Sequence, residues 1–155
     1  MRRAGIATAS AALFALAGMH AAWGAGSGWP LPDRDALADA VIGAAEVPSP
    51  AACFAVSGAL AAAGALVAGW PGGRRPVMRR LGIVTVVAVL AGRGALGLTG
   101  RTRLVSPAST SARFARLDRR VYSPLCLGLA GLSALSLLPR RTVRPYPEPA
   151  RAARM

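Results

Sequence analysis

Lysine is absent from the 155 residues, and the chain has only one His and two Cys. A single His does not supply the imidazole cluster of a zinc site, so we expect no His-based metal centre. Cys53 and Cys126 form no C-x-x-C motif, which argues against a thiol–disulfide enzyme of the usual kind. The chain also lacks a P-loop, a nucleophile elbow and a carboxylate pair placed for acid–base work. We therefore expect no cofactor, and whether the protein is an enzyme stays open.

Acidic residues are also few, since six Asp and Glu stand against 19 Arg and give a net charge of +13. Such a charge would suit a nucleic-acid-binding protein. However, the Arg residues lie between and beside apolar runs, where cations next to a membrane normally lie. We therefore expect no nucleic-acid partner. We interpret the charge as attraction to anionic lipid headgroups, worth ~1 kcal/mol per Arg near the surface.

Aromatic residues make up only 5% of the chain although 54% of it is hydrophobic, so small and aliphatic residues carry the apolar character. They concentrate in four runs, at about 4–23, 51–70, 81–100 and 121–138. A hydrocarbon core ~30 Å thick requires ~20 helical residues, and only helices satisfy the backbone within such runs. The sequence predicts an all-α protein, a four-helix transmembrane bundle. Its single membrane domain would cover 1–138, followed by a disordered Arg- and Pro-rich tail over 139–155.

Two interpretations fit the first run. Arg2 and Arg3 give it the basic start of a signal peptide, and Gly24 and Ala25 offer small residues for a cleavage site. Its apolar stretch is longer than that of a typical signal peptide, and we therefore favour a retained first span.

The distribution of Arg predicts an orientation. With four spans, both termini and the second loop lie on one side of the membrane and together carry eleven Arg. The first and third loops lie on the other side and carry seven. The positive-inside rule then places both termini in the cytoplasm. The third loop, 101–120, is an exception, because it puts six Arg outside.

Small residues recur within the later runs. They lie at Gly58, Ala62, Gly64 and Ala68, and again at Gly94, Gly97, Gly100, Gly128 and Gly131. Small-xxx-small spacing lets transmembrane helices approach closely. We expect a tightly packed bundle, and the same faces would permit a homo-oligomer.

The segment after the third run predicts a further helix. Ser106-Pro107 interrupts the chain, and three residues can then cap a helix: Ser109, Thr110 and Ser111. Apolar residues follow at helical spacing, namely Phe114, Leu117, Val121 and Leu125. This pattern predicts a short amphipathic helix before the last span. We expect it to continue through Pro124 as a kinked helix, because a span that began there would be too short.

Arg93 lies inside the third run, where an Arg at mid-membrane costs at least ~2.5–3.5 kcal/mol. One interpretation is that its guanidinium extends to the outer headgroups. The other is an interior cation that pairs with a ligand or a carboxylate. Asp118 is the one acid near the later spans and is therefore the natural partner.

Six candidate binding residues map to the outer half of the bundle: His20, Trp23, Trp29, Arg93, Asp118 and Tyr122. Individually, Trp and Tyr at a membrane boundary usually act as anchors, and a lone His near a helix end is more often a satisfied polar group. Their convergence on one side supports an outward-facing polar pocket. Cys53 and Cys126 also map there, either as free thiols or as a disulfide.

Two segments of the chain resemble signatures of a bacterial family. The residues MHAAWGAGSGWP, at 19–30, resemble its H-x-x-W-x-x-G signature at the end of a first span. The residues FARLDRRVYSPLCL, at 114–127, resemble its F-x-x-L-D-x-x-x-Y-S-P-L-C-L signature, and Arg93-Gly94 fits its Arg-Gly near the end of the third span. The family is the domain of unknown function 3995, a group of small integral membrane proteins. The resemblance covers about 5–138 and implies a four-span protein of the bacterial cell membrane with a retained first helix and no assigned activity.

Three functions fit this sequence. The first hypothesis is a binding or accessory membrane protein with an outward-facing polar pocket. The alternatives are a structural protein that associates with anionic lipid through the third loop and the tail, and a small membrane enzyme or transporter subunit that uses the same pocket.

Overall fold

A computed structural model describes residues 1–70, 76–104 and 106–139. Within these ranges the chain is helical and contains no strand. Its helices are α1 (Arg2–Gly24), α2 (Arg34–Leu37), α3 (Pro50–Ala68), α4 (Pro76–Leu98) and α5 (Ala112–Leu137). All of them except α2 are long and apolar enough to cross a membrane. The predicted all-α fold with four long apolar helices is confirmed. The predicted disordered tail lies outside the described residues except for Pro139.

The four long helices expose mainly apolar side chains. Only 17–22% of the residues in the most apolar part of each helix are buried, so most of each helix faces outward. Phe14, Phe54 and Val89 are among the large side chains on this surface. Contiguous apolar surface of this extent suits hydrocarbon and not water. The chain is therefore a multi-pass membrane protein whose helices contact lipid.

The bundle consists of two closely packed helix pairs. α1 packs mainly against α3, α4 packs mainly against α5, and contacts between α1 and α5 join the pairs. Ala9, Leu13, Val67 and Leu129 form a buried cluster at this junction. Gly64 permits the close approach of α3 to α1, because a Cβ there would lie 3.2 Å from the Phe14 ring.

α3 turns only one of its four predicted small residues toward the bundle. Gly64 is buried, whereas Gly58, Ala62 and Ala68 are more exposed. At about 3.6 residues per turn, positions 62 and 64 lie ~200° apart around the helix axis and cannot face the same neighbour. Ser57 shares the inward face with Gly64, and its hydroxyl donates to the Ala17 carbonyl at 2.8 Å. The prediction of close packing within the bundle was therefore wrong for the other three positions, and equally for Gly128 and Gly131, which have open space around them.

α5 is one helix from Ala112 to Leu137 and includes the predicted amphipathic segment. It runs through Pro124 without a break, as expected, and contains a π-helical turn at Asp118–Tyr122. Phe114 of the predicted apolar face is buried, but Val121 and Leu125 are exposed. The wide turn shifts the inward face, so that Asp118 and Ser123 point into the bundle where the regular spacing favoured Val121.

The first and third loops pack against each other. After α2 the chain forms a second π-helical turn, Ala38–Ile42, and the third loop begins with a 3₁₀ turn, Thr102–Leu104. The Gly43 carbonyl accepts hydrogen bonds from the backbone N–H groups of Thr110 at 2.8 Å and Ser111 at 3.1 Å. Ser111 also caps α5 through its hydroxyl, one of the three predicted caps. The two loops therefore lie on the same side of the membrane, which we call the loop side.

The opposite end of the bundle brings the amino terminus to the end of α5. The Arg2 guanidinium donates to the carbonyls of Leu135 at 3.0 Å and Leu138 at 2.7 Å. A cation at these last carbonyls also complements the negative end of the helix dipole. Both ends of the described membrane region thus lie on one side, as four spans require.

Candidate functional site

A buried carboxylate lies at the centre of the best-defined polar cluster. Asp118 is 2% exposed. Its Oδ1 accepts hydrogen bonds from Arg93 Nη2 at 2.8 Å and from the Ser123 hydroxyl at 3.1 Å, and its Oδ2 accepts from the Thr102 hydroxyl at 2.5 Å. These four side chains, which we call the Asp118 cluster, connect α4, the 3₁₀ turn and α5.

The Asp118 cluster depends on the π-helical turn and on a glycine. Asp118 and Ser123 are five residues apart, which is the hydrogen-bonding repeat of a π-helix and places both side chains on one face. Gly97 of α4 supplies the necessary space. A Cβ at Gly97 would overlap the Ser123 hydroxyl and would lie 2.8 Å from both Arg93 Nη1 and Asp118 Oδ1. Here the small residues of α4 bring two helices together as the sequence predicts.

The ion pair explains how an Arg is accommodated inside the third span. The Asp118 side chain is 3% exposed and the Arg93 side chain 30%, so the pair is largely removed from water. A buried charge is costly unless a partner and hydrogen bonds compensate it, and this carboxylate has three donors. The predicted pairing of Arg93 with Asp118 is therefore confirmed. Arg93 Nη1 is buried with no hydrogen-bond partner in the described part of the chain.

A polar cavity of about 250 Å³ lies beside the Asp118 cluster. Thr102 and Asp118 contribute to its wall, and Arg103 and Arg119 line it with side chains that also reach the surface. The first residue of α5, Ala112, lies in the same wall. Because Arg93 neutralises Asp118, the two further Arg side chains leave this polar cavity with a positive charge.

Two of the predicted site residues on α1 form a separate group. The His20 ring lies 4.7 Å from the Trp23 ring, and its Nδ1 hydrogen-bonds the Leu16 carbonyl at 2.8 Å. The Trp23 indole N–H donates to the Trp29 carbonyl at 2.7 Å, while the Trp29 side chain itself is exposed. His20 and Trp23 line an apolar cavity of about 210 Å³ between α1, α2 and α3, together with residues such as Leu37.

Tyr122 connects α5 to the first loop. Its hydroxyl donates to the Ala40 carbonyl at 3.1 Å, and its ring lies 6.2 Å from the Phe114 ring. Asp39 forms a second contact across the same boundary, an ion pair with Arg113 at 3.6 Å in which both side chains are almost half exposed. These contacts hold the π-helical turn Ala38–Ile42 against the start of α5 and offset part of the positive charge of the third loop.

The structure thus divides the predicted site residues. Arg93 and Asp118 lie together beside the polar cavity, and His20 and Trp23 lie together beside the apolar cavity. Tyr122 contacts the π-helical turn Ala38–Ile42, and the Trp29 side chain is exposed. Whether these residues bind a ligand stays a prediction.

Sequence reasoning missed four residues around the polar cavity: Thr102, Arg103, Arg119 and Ser123. Ser123 had a signal in its position five residues after Asp118, just before a proline. Thr102 had none, because a loop brings it to Asp118 from outside α5.

Cys53 and Cys126 are free thiols in the structure. Cys53 is buried in a small cluster with Trp23 and Leu37, whereas Cys126 is partly exposed on α5. Across 1–70, 76–104 and 106–139, no group of three or more His, Cys, Asp or Glu side chains is placed to hold a metal ion.

The sequence matches a family model described as a protein of unknown function (DUF3995) over residues 13–133. That range begins within α1, ends within α5 and contains both cavities. No curated protein and no solved structure matches the chain. Because the family model covers most of the sequence, the chain belongs to the family of proteins of unknown function DUF3995.

Proposed function

We propose that the protein is a binding or accessory protein of the bacterial plasma membrane, and that its polar cavity holds a phosphate-bearing group. The observation that carries the proposal is that Arg103 and Arg119 line a cavity whose acid, Asp118, is already paired with Arg93. A guanidinium presents planar, two-donor hydrogen bonding that matches phosphate oxygens. An anionic group in this cavity would therefore meet net positive charge.

The size and the walls of the polar cavity also support an anion. A volume of about 250 Å³ has room for several water molecules, since each occupies ~30 Å³ of liquid, and hence for a phosphate group. Ser111 and Thr110 bring hydroxyl groups to the wall. α5 begins at Ala112 in the same wall, and the positive end of a helix dipole favours anions.

We further propose that both termini are cytoplasmic and that the loop side faces outward. The excess of Arg on the side of the termini supports this orientation through the positive-inside rule. Contacts between the first and third loops, including the Arg113–Asp39 ion pair, offset part of the unfavourable charge of the third loop.

Two sources could supply the phosphate, namely an anionic lipid headgroup or a soluble phosphate compound. The test uses the full chain in nanodiscs of phosphatidylcholine, with or without phosphatidylglycerol, and with or without inorganic phosphate. Thermal unfolding is measured in each case, because a ligand of the native state raises the unfolding temperature. Stabilisation by phosphatidylglycerol identifies the lipid source, stabilisation by inorganic phosphate identifies the soluble source, and stabilisation by neither would overturn the proposal.

A matched pair of variants separates the polar cavity from general surface charge. The double variant R103Q/R119Q should bind the effective anion ~30-fold more weakly, because each Arg contributes ~1 kcal/mol near anionic lipid. The double variant R116Q/R120Q removes the same charge from positions near the start of α5 that do not line the polar cavity. Equal weakening in both double variants would mean that the charge acts diffusely and that the cavity is not a site.

A further inference from the structure

The apolar cavity is chemically unlike the polar cavity, and its interpretation does not depend on the function proposed above. It has a volume of about 210 Å³ and lies between α1, α2 and α3. Leu37, Val41 and Val56 give it apolar walls, and His20 and Trp23 add two aromatic rings. Walls of this composition exclude a charged ligand, because they would not repay the loss of its hydration.

His20 lines this cavity, and its hydrogen bond to the backbone bears on which ring nitrogen is able to accept. Its Nδ1 lies 2.8 Å from the Leu16 carbonyl, and a carbonyl oxygen can only accept, so Nδ1 carries the proton. In the neutral ring, Nε2 then bears an unshared lone pair, and no described side chain or backbone group hydrogen-bonds to it. The neighbouring Trp23 indole N–H is already committed to the Trp29 carbonyl. A ligand in the cavity would therefore need a hydrogen-bond donor of its own to contact His20 Nε2.

The apolar cavity is placed to receive a molecule from the bilayer. Val56, which lines it, is 44% exposed on the outward surface of α3. His20 lies one turn before the end of α1, and the lining residue Cys53 lies in the first turn of α3. The cavity is thus near the boundary of the membrane, where amphiphilic molecules hold their polar groups.

We infer that the apolar cavity binds a membrane-soluble phenol, whose hydroxyl donates to His20 Nε2 and whose ring lies among the apolar walls. An apolar cavity of ~150 Å³ is sufficient for benzene, so about 210 Å³ accommodates a ring with a small alkyl substituent. The rings of His20 and Trp23 favour an aromatic occupant, since aromatic groups pack well at tilted or offset geometry.

The first test uses the fact that the chain has a single His, which gives one imidazole in a nitrogen NMR spectrum of the ¹⁵N-histidine-labelled protein. In the free protein, Nδ1 should be protonated and Nε2 bare. Addition of 4-ethylphenol should shift the Nε2 signal, because Nε2 accepts a new hydrogen bond, whereas ethylbenzene should leave it unchanged. A protonated Nε2 in the free protein, or equal shifts with both probes, would overturn the inference.

The second test measures affinity by the fluorescence of Trp23 in a W29F/W70F background, in which it is the one remaining Trp. 4-Ethylphenol should bind about fivefold more tightly than ethylbenzene, which is the ratio that one neutral hydrogen bond gives. His20→Phe should keep an aromatic ring at this position, and the two probes should then bind with equal affinity. Ala52→Leu, at another lining position, should fill the cavity and weaken both probes.

The outcomes of the fluorescence test are decisive in both directions. A fivefold ratio that His20→Phe abolishes supports the inference. If the fivefold difference in affinity persists in His20→Phe, His20 is not the acceptor. If both probes bind Ala52→Leu as tightly as the parent protein, they enter the detergent or lipid and not the cavity. Either of these results overturns the inference, and the NMR experiment on the unaltered residue provides the same decision if a variant does not fold.

Discussion

Gly97 is the position at which a substitution tests the Asp118 cluster most sharply. A Cβ there would overlap the Ser123 hydroxyl and lie 2.8 Å from Arg93 Nη1 and Asp118 Oδ1. Gly97→Ala must therefore push α4 away from α5 or break a hydrogen bond to the buried carboxylate. Overpacking costs ~1–3 kcal/mol and a lost hydrogen bond to a charged group ~1.5–3 kcal/mol. We expect the free energy of unfolding to fall by about 1–3 kcal/mol.

Gly92 provides the matched control for this prediction, because it lies on the same helix and a Cβ added there would meet nothing within 4 Å. Gly92→Ala should leave stability unchanged or raise it by up to ~1 kcal/mol, since Ala is the better helix former. Both variants are unfolded by titration with sodium dodecyl sulfate from a mild detergent, followed by circular dichroism. If Gly97→Ala is as stable as Gly92→Ala, the close approach of α4 to α5 at the Asp118 cluster is refuted.

Four further substitutions test the electrostatics and the buried hydroxyl in the same titration. Asp118→Leu should cost about 3–5 kcal/mol by leaving the largely buried Arg93 charge unpaired, and the addition of Arg93→Leu should recover most of that loss. Ser133→Ala should cost nothing or add up to ~1 kcal/mol, because the buried Ser133 hydroxyl has no partner in the described residues, and a clear loss would contradict this. Asp39→Asn should change the free energy of unfolding by less than ~1 kcal/mol, because both side chains of its ion pair with Arg113 are almost half exposed. A larger loss would contradict this expectation and show that the ion pair stabilises the fold.

The four spans were predictable from the sequence because length and hydropathy are properties of each run alone. The bounds were less accurate at the start of the third span. α4 begins at Pro76, ahead of the predicted 81, because polar residues such as Arg79 and Arg80 extend the helix beyond the apolar run, and hydropathy does not report them. The start of α5 at Ala112 agrees with the amphipathic helix that the sequence predicts before the last span.

The candidate site was predictable only in part. Arg93 and Asp118 are charged residues in or next to apolar spans, and few oppositely charged residues lie near either of them in the sequence. Their pairing was therefore predictable from the sequence. Thr102 reaches Asp118 from a loop, and the inward rotation of Ser123 follows from a π-helical turn. Both depend on contacts between distant segments, which single-helix periodicity does not contain. For the same reason the sequence could not show that His20 and Arg93 lie beside different cavities.

The central claim is that the first and third loops meet on one side of the membrane, opposite the amino terminus. It is tested most directly by single cysteines in a chain in which Cys53 and Cys126 are replaced by Ser. The reporter positions are Ala4, Glu46 and Ala108, all of which are exposed in the structure.

Intact cells are treated with a membrane-impermeant thiol reagent before and after permeabilisation. We expect Glu46→Cys and Ala108→Cys to be labelled in intact cells, whereas Ala4→Cys should be labelled only after permeabilisation. Protection of both loops with labelling of Ala4→Cys would reverse the proposed orientation. Labelling of one loop without the other would place the membrane between them and contradict the hydrogen bonds from Thr110 and Ser111 to Gly43.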